Sequence, residues 1–263
     1  MSNLVTPEPN FELRLARSHE DLRAAQALRY KVFVQELGAS GPLVDHAAGL
    51  EVDAFDAVFD HLLLLDTARE SRGESPCIGV YRLLRGDVLP AGGRFYSEDE
   101  FDLGPLRSCG RKVMELGRSC VHPDYRGGAA MLHLWNGLAD YVLRHEVEIM
   151  FGPASLHGTD QAALAQPLAY LHHNHLAPPA FRVTARAAHF APMDTIAAAE
   201  IDRKGALAGI PNLIKAYLRL GGHVGQGAWI DHAFNTTDVF LVMDTATMSA
   251  RHREFYTRKA GRG

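Results

Sequence analysis

Cysteine is scarce in this chain. Only Cys77, Cys109 and Cys120 occur in 263 residues, widely spaced and outside any CxxC pair. An odd, scattered set excludes a disulfide framework and leaves a reduced, cytosolic protein as the expectation. Long apolar runs are missing too, and none approaches the ~20 residues a bilayer-spanning helix needs. The opening MSNLVTPEPNFELRL has no basic segment followed by an apolar one, so no secretion signal is expected. Nor is positive charge in excess. Lys and Arg number 27 against 31 Asp and Glu, a net charge of -4. That sets nucleic acid aside as the main partner, because phosphate binding draws on a basic surface. No internal repeat or low-complexity linker interrupts the sequence. What is present is a globular composition, 47% apolar and 22% charged, sufficient to bury a sizeable core.

The patterning yields an order of elements. Phe11–Leu15 alternates apolar and charged residues like an opening strand. Residues 19–34 repeat Leu22, Ala25, Leu28, Val32 and Phe33 near helical spacing, with Ser18 as N-cap and Asp21 in the reciprocal position of a capping box. Gly38 and Gly41 close that helix. Residues 59–66, built around LLLL, and 77–84 read as two strands joined by a polar, glycine-containing turn. A strand over 112–121, the turn HPDYRGG, a helix over 129–144 and a strand over 147–152 follow. Later come a helix over 159–172, a strand over 182–189, a helix over 210–220 with Pro211 at N1, and a strand over 237–243. This order predicts an α/β (α+β) fold: a mixed sheet flanked by helices, with a C-terminal helix-and-strand elaboration. One domain over 1–263 is expected, with a core over 11–155, a C-terminal part over 156–245 and a basic tail over 246–263.

Residues 113–134, VMELGRSCVHPDYRGGAAMLHL, are the most informative. A strand runs into Arg126, Gly127 and Gly128 and then a long helix. Main-chain amides at such a turn are unpaired and suit a phosphate. The same glycines also serve a turn that merely needs tight geometry. VHPDYRGG resembles the acyl-donor motif of the GNAT acyltransferases, in which a strand with a carboxylate precedes an Arg-Gly-rich pyrophosphate loop. In that family glycines alternate onward from the arginine. Here Ala129, Ala130 and Met131 follow Gly128, so two glycine positions of the cradle are Ala and Met. Those side chains would crowd the pyrophosphate of coenzyme A. A donor with one phosphodiester on its pantetheine arm, as in acyl carrier protein, needs less of a cradle.

A second resemblance adds residues. Arg29-Tyr-Lys-Val-Phe33, Glu51-Val-Asp53-Ala-Phe-Asp56, Arg82 and Glu115-Leu-Gly-Arg118 follow the order seen in acyl-homoserine-lactone synthases. Leu37-Gly38 stands where those enzymes carry tryptophan. The longest resemblance, over residues 11–244, is to the L-ornithine Nα-acyltransferases of ornithine-lipid synthesis, a family also labelled hemolysin-like. It runs through RYKVFVQELGA, GLEVDAFD, ELGRSCVHPDYR, YLHHNHLAPP, IPNLIKAYLRLGGHVG and DHAFNTTDVFLVM. It implies transfer of a 3-hydroxyacyl chain from acyl carrier protein to the α-amine of L-ornithine, giving lyso-ornithine lipid. Residues 11–155 would then be the donor-binding core. No cofactor is implied beyond the phosphopantetheine arm of the donor. The alternatives are a lactone synthase using S-adenosylmethionine and a coenzyme A-dependent enzyme acting on another amine.

Amine attack on a thioester needs a proton acceptor, because a free α-amino acid carries its amine mainly as ammonium near neutral pH. Glu115 is the candidate base; the alternative is a salt bridge from Glu115 to Arg118. Backbone N–H groups at Cys120 and Val121 are the candidate oxyanion donors. Arg126, Gly127 and Gly128 would hold the phosphopantetheine phosphate. Asp53 and Asp56 suit the acceptor's ammonium groups, while Arg82 or Arg118 suits its carboxylate, with Arg29 beside them through the resemblance. The competing view of Asp53 and Asp56 is a solvated acidic face. Cys120 also allows a covalent acyl-cysteine route, against the commoner buried strand cysteine. His172, His173 and His175 read as a helix end, and no metal ligand set is expected. The helix over 210–220 packs in the core or lies at a membrane surface. Location is expected to be cytoplasmic, with peripheral contact at the inner membrane as an option.

Overall fold

The computed structural model describes residues 8–42 and 44–247. Most of the basic tail, with Arg251, Arg253, Arg258, Lys259 and Arg262, lies outside the described residues. The strands are β1 Phe11–Leu15, β2 Val44–Asp45, β3 Leu50–Glu51, β4 Asp60–Asp66, β5 Cys77–Arg85, β6 Phe101–Asp102, β7 Val113–Val121, β8 Ile149–His157, β9 Thr184–Ala185, β10 Phe190–Ala191, β11 His223–Asp231 and β12 Thr236–Asp244. The α-helices are α1 His19–Arg29, α2 Gly104–Arg107, α3 Ala130–His145, α4 Gln161–His175, α5 Arg203–Gly209 and α6 Asn212–Arg219. The expected class holds: strands pair both parallel and antiparallel, with helices against them.

The chain forms two compact units. The first holds the described residues up to Leu83 together with Arg118–Tyr141; the second holds Leu84–Gly117 and the described residues from Val142 onward. Strand β7 contributes its first five residues to the second unit and its last four to the first.

In the first unit β4 pairs antiparallel with β1 and with β5. Beyond β7, His122 N donates to Ile78 O at 2.8 Å. The unbroken LLLL of β4 follows from burial on both faces, as expected of a strand with helices on either side. Leu63 and Leu65 join Ala25 and Leu28 of α1, with Val80 and Cys120, in one cluster. Leu62 faces α3, where a side chain at Gly137 would collide with Leu13 and Leu62. Gly79 leaves the same kind of room for Leu134. The Ser18 hydroxyl caps α1 by accepting from Asp21 N at 3.1 Å, as its sequence position predicted. The helix expected over 19–34 stops being α-helical after Arg29, and Tyr30–Glu36 continues as a π-helix.

In the second unit β7 runs parallel to β8, which pairs antiparallel with β12 over nine positions; β12 then pairs with β11. The register between β7 and β8 reads Val113↔Ile149, Met114↔Met150 and Glu115↔Phe151. Strand β11 lay outside the sequence reading, because its glycines break the alternation of HVGQGAWID. Gly227 takes φ 74 beside a register shift between Val224 and Ala228. The strand expected over 182–189 is instead the short β9, a 3-10 turn over Ala187–His189 and β10. Pro211 is the N-cap of α6, not N1. That helix buries Ile214 and Tyr217, so the core-packing reading fits it. No helix among the described residues is long and apolar enough to cross a membrane.

Candidate active site

The first unit brings together side chains far apart in sequence. Arg29 ends α1, Arg82 projects from β5, Glu51 ends β3, and Asp53 and Asp56 lie in the loop leading to β4. The Arg29 guanidinium is fully buried. Its Nε donates to Glu51, and Nη1 donates to Asp56 Oδ1 at 2.5 Å. Nη2 donates to Glu51 O at 2.7 Å and to Asp56 Oδ2 at 3.1 Å. Asp56 Oδ1 also accepts from Arg82 Nη1 at 3.0 Å, while Oδ2 accepts from Gln26 Nε2 at 2.9 Å and Asp53 N at 3.2 Å. Arg82, also fully buried, sets its guanidinium 4.4 Å from the centre of the Phe59 ring. Asp53 Oδ2 lies 3.2 Å from Arg82 and 3.8 Å from Arg118 Nη2, and Glu51 Oε1 lies 3.6 Å from Arg118 Nε.

Charge explains how this network survives burial. Burial alone would raise the Asp56 carboxyl, but hydrogen bonds and attraction from Arg29 outweigh it and hold it at about 2. Burial likewise works against the Arg29 cation, and Glu51 and Asp56 overcome that, raising its pKa. At Arg82, burial and then repulsion from Arg118 prevail over Asp53 and Asp56, so its pKa is lowered.

These contacts define what Asp56 and Arg29 present at the site. Asp56 is not a solvated acid, and both its oxygens already accept from the chain. Arg29 has every guanidinium nitrogen engaged. Neither has a group to offer an incoming substrate without breaking a buried ion pair; they fix the positions of Arg82 and Glu51 instead. Arg118 is the more open cation, with 14% of its side chain exposed and longer contacts to Glu51 and Asp53. Sequence reasoning quoted Glu51 without a role and missed Gln26. Only the tertiary fold brings Gln26 to Asp56.

In the second unit Glu115 is fully buried. Its Oε2 accepts from Tyr96 N at 2.8 Å, and its Oε1 accepts from Ser97 N at 2.7 Å and Ser97 Oγ at 2.5 Å. Three donors converge on it, the surroundings of a carboxylate rather than a carboxylic acid.

The donor loop follows β7 in the first unit. Pro123–Tyr125 forms a 3-10 turn whose Tyr125 hydroxyl donates to Asp66 at 2.5 Å. Gly127 sits at φ 75, which favours glycine, whereas the nearest atom to a side chain at Gly128 would be Tyr125 O at 3.7 Å. The Arg126 side chain, expected to meet the phosphate, is paired within the chain. Nε donates to Val121 O at 3.1 Å, and Nη1 and Nη2 close on Glu36, so the guanidinium braces the loop. Cys120 is buried among Leu28, Val80 and Cys77, and burial pushes its thiol pKa up, away from the thiolate a nucleophile needs. Elsewhere, the carboxylates of Glu100, Asp231 and Asp238 lie within 4.8 Å of one another, a grouping their sequence positions do not suggest.

The acetyltransferase (GNAT) domain family matches residues 28–136. A Rhodobacter capsulatus protein named L-ornithine N(alpha)-acyltransferase is 60% identical over 97% of this chain and 98% of its own. A Rhizobium meliloti protein of the same name is 44% identical over 96% of this chain and 86% of its own. Among solved structures, FeeM, an N-acyl amino acid synthase from uncultured soil microbes, superposes with a TM-score of 0.52 at 11% identity, covering 91% of this chain and 93% of its own. The synthase LasI follows at 0.50 and 13%, covering 90% and 91%. At such identities these two show a shared fold.

Proposed function

Since the chain belongs to the L-ornithine N(alpha)-acyltransferase family and is an enzyme of that kind, we propose that it moves a 3-hydroxyacyl chain from acyl carrier protein to the α-amine of L-ornithine, yielding lyso-ornithine lipid. The observation that carries the acceptor is the 60% identity sustained over 97% of the chain to a relative of that name. The donor rests on the loop: Ala129 and Met131 stand where a coenzyme A cradle would keep glycines.

The chemistry makes one amide and breaks one thioester. The α-ammonium of ornithine first loses a proton, and Glu115 is the proposed acceptor, directly or through a water. The amine nitrogen then bonds to the thioester carbon, and the charge on its oxygen is met by N–H groups at Cys120 and Val121. Collapse expels the pantetheine sulfur, which leaves as a thiol with the second proton that the attacking nitrogen sheds on becoming an amide. Arg82 and Arg118 are the proposed partners of the acceptor carboxylate, and Asp53 the partner of an ammonium. Gly127 and Gly128 offer amides to the phosphopantetheine phosphate. The phosphopantetheine arm comes with the donor, so no separate cofactor enters. The product is amphiphilic, and peripheral contact with the inner membrane from the cytoplasm belongs to this reading.

Donor competition tests it. Purified protein, ornithine and equal concentrations of 3-hydroxyacyl carrier protein and 3-hydroxyacyl-coenzyme A, with distinguishable acyl chains, should give product carrying the carrier-derived chain. Product from coenzyme A alone would overturn the donor. Product only when S-adenosylmethionine is supplied would overturn the acceptor.

A further inference from the structure

The π-helix Tyr30–Glu36 carries the next step. Leu37 N donates to Val32 O, five residues back. Such turns are rare and concentrate at functional sites. Residues five apart in an α-helix point about 140° from one another. Pairing of i with i+5 brings them toward one side, and here Lys31 and Glu36 both reach the donor loop. Glu36 closes on Arg126 at one end of it, and Lys31 Nζ stands 2.7 Å from His122 Nε2 at the other.

Chemistry fixes the polarity of the second contact. An ammonium only donates, so His122 Nε2 accepts from Lys31. Nδ1 faces Asp124, whose main-chain N donates to it at 3.3 Å and whose Oδ2 is 3.6 Å away. His122 is nearly fully buried, and burial first, then the nearby Lys31 and Arg69 cations, lower its pKa, consistent with a neutral ring. Lys31 is exposed. An ammonium that spends one N–H on a buried imidazole keeps two for a ligand. The Arg126 guanidinium is meanwhile engaged by Glu36 and Val121 O.

We propose that Lys31, oriented by His122, is a phosphate ligand of the donor site and contacts the single phosphodiester of the phosphopantetheine arm. The inference rests on the carrier-thioester reading above and deepens it. Lys31 touches the donor; His122 is a positioning residue that acts through it.

Two small donors differing only in that phosphate, acyl-phosphopantetheine and acyl-pantetheine, test the assignment with ornithine as acceptor. The wild type should favour the phosphorylated thioester about tenfold or more in kcat/KM, the scale of one charge-assisted hydrogen bond. Lys31→Met should erase that preference by raising KM for the phosphorylated donor, and Lys31→Arg should restore most of it. His122→Asn should lie between. A binding readout runs in parallel: 4′-phosphopantetheine titrated into 15N-labelled protein should shift His122 Nε2 in the wild type and leave it unmoved in Lys31→Met. Preference retained in Lys31→Met, or a changed KM for ornithine in its place, overturns the proposal. If the wild type turns over neither small thioester nor acyl carrier protein, the carrier-thioester reading fails. The titration then still decides whether Lys31 binds the phosphate.

Discussion

Asp56 accepts a 2.5 Å hydrogen bond from Arg29 where both side chains are buried. A buried pair contributes little net stability over an apolar replacement, but removing one partner strands the other charge. Asp56→Ala takes a carboxylate from two buried cations, since Arg82 also donates to it, leaving Arg29 with Glu51 and Arg82 with Asp53. A loss of about 3–5 kcal/mol is expected, read from urea denaturation. Asp53→Ala should cost less, because Arg82 keeps Asp56.

Acid should reveal the same network. Asp56 and Asp21 are both held at about 2, below the ordinary 3.8: Asp56 by Arg29 against the effect of burial, Asp21 by hydrogen bonds from Arg14. A carboxyl whose folded pKa is depressed stabilises the fold above its unfolded value and loses that contribution as pH falls through the folded one. Calorimetric Tm should therefore hold above about pH 4 and drop steeply toward pH 2. Asp56→Asn should lower the plateau and flatten the drop.

Cys120 is a packing residue in this account. Cys120→Ala should keep turnover within about twofold of the wild type, as expected when no transition-state contact is removed. It should cost about 1 kcal/mol through the small cavity left. Loss of turnover in a stably folded variant would restore the acyl-cysteine route.

The paired glycines of the donor loop should differ. Gly127→Ala forces a side chain into φ 75, a strain of about 1–2 kcal/mol, and should raise KM for the acyl donor. Gly128→Ala meets only ordinary contact with Tyr125 O and should be mild. Steady-state kinetics on both variants separates them.

Local chemistry decided which parts of this fold were legible. Ser18, the LLLL run and the punctuation around α3 each act over a few residues, so β1, α1, β4, β5, β7 and α3 could be read directly. The glycines of β11 hid its period, and β9 and β10 are too short to show one. The π-helix was invisible because its residues fit α-helical spacing as well. At the site, Arg29, Asp53, Asp56, Arg82 and Arg118 were nameable through resemblance and do meet. Their division into framework and open edge depends on burial and on Gln26 and Glu51, contacts made across 30 and 22 residues. Lys31 and Glu36 acquire their meaning only once the π-turn aims both at the loop.

The most direct test is mass spectrometry of the reaction of wild type and Glu115→Gln with 3-hydroxyacyl carrier protein and ornithine. The wild type should produce ornithine acylated on its α-nitrogen. Glu115→Gln should bind both substrates and make that product about 10²–10⁴-fold more slowly, the range for loss of a general base. Undiminished α-acylation by Glu115→Gln, or acylation of the side-chain amine by the wild type, would contradict the account.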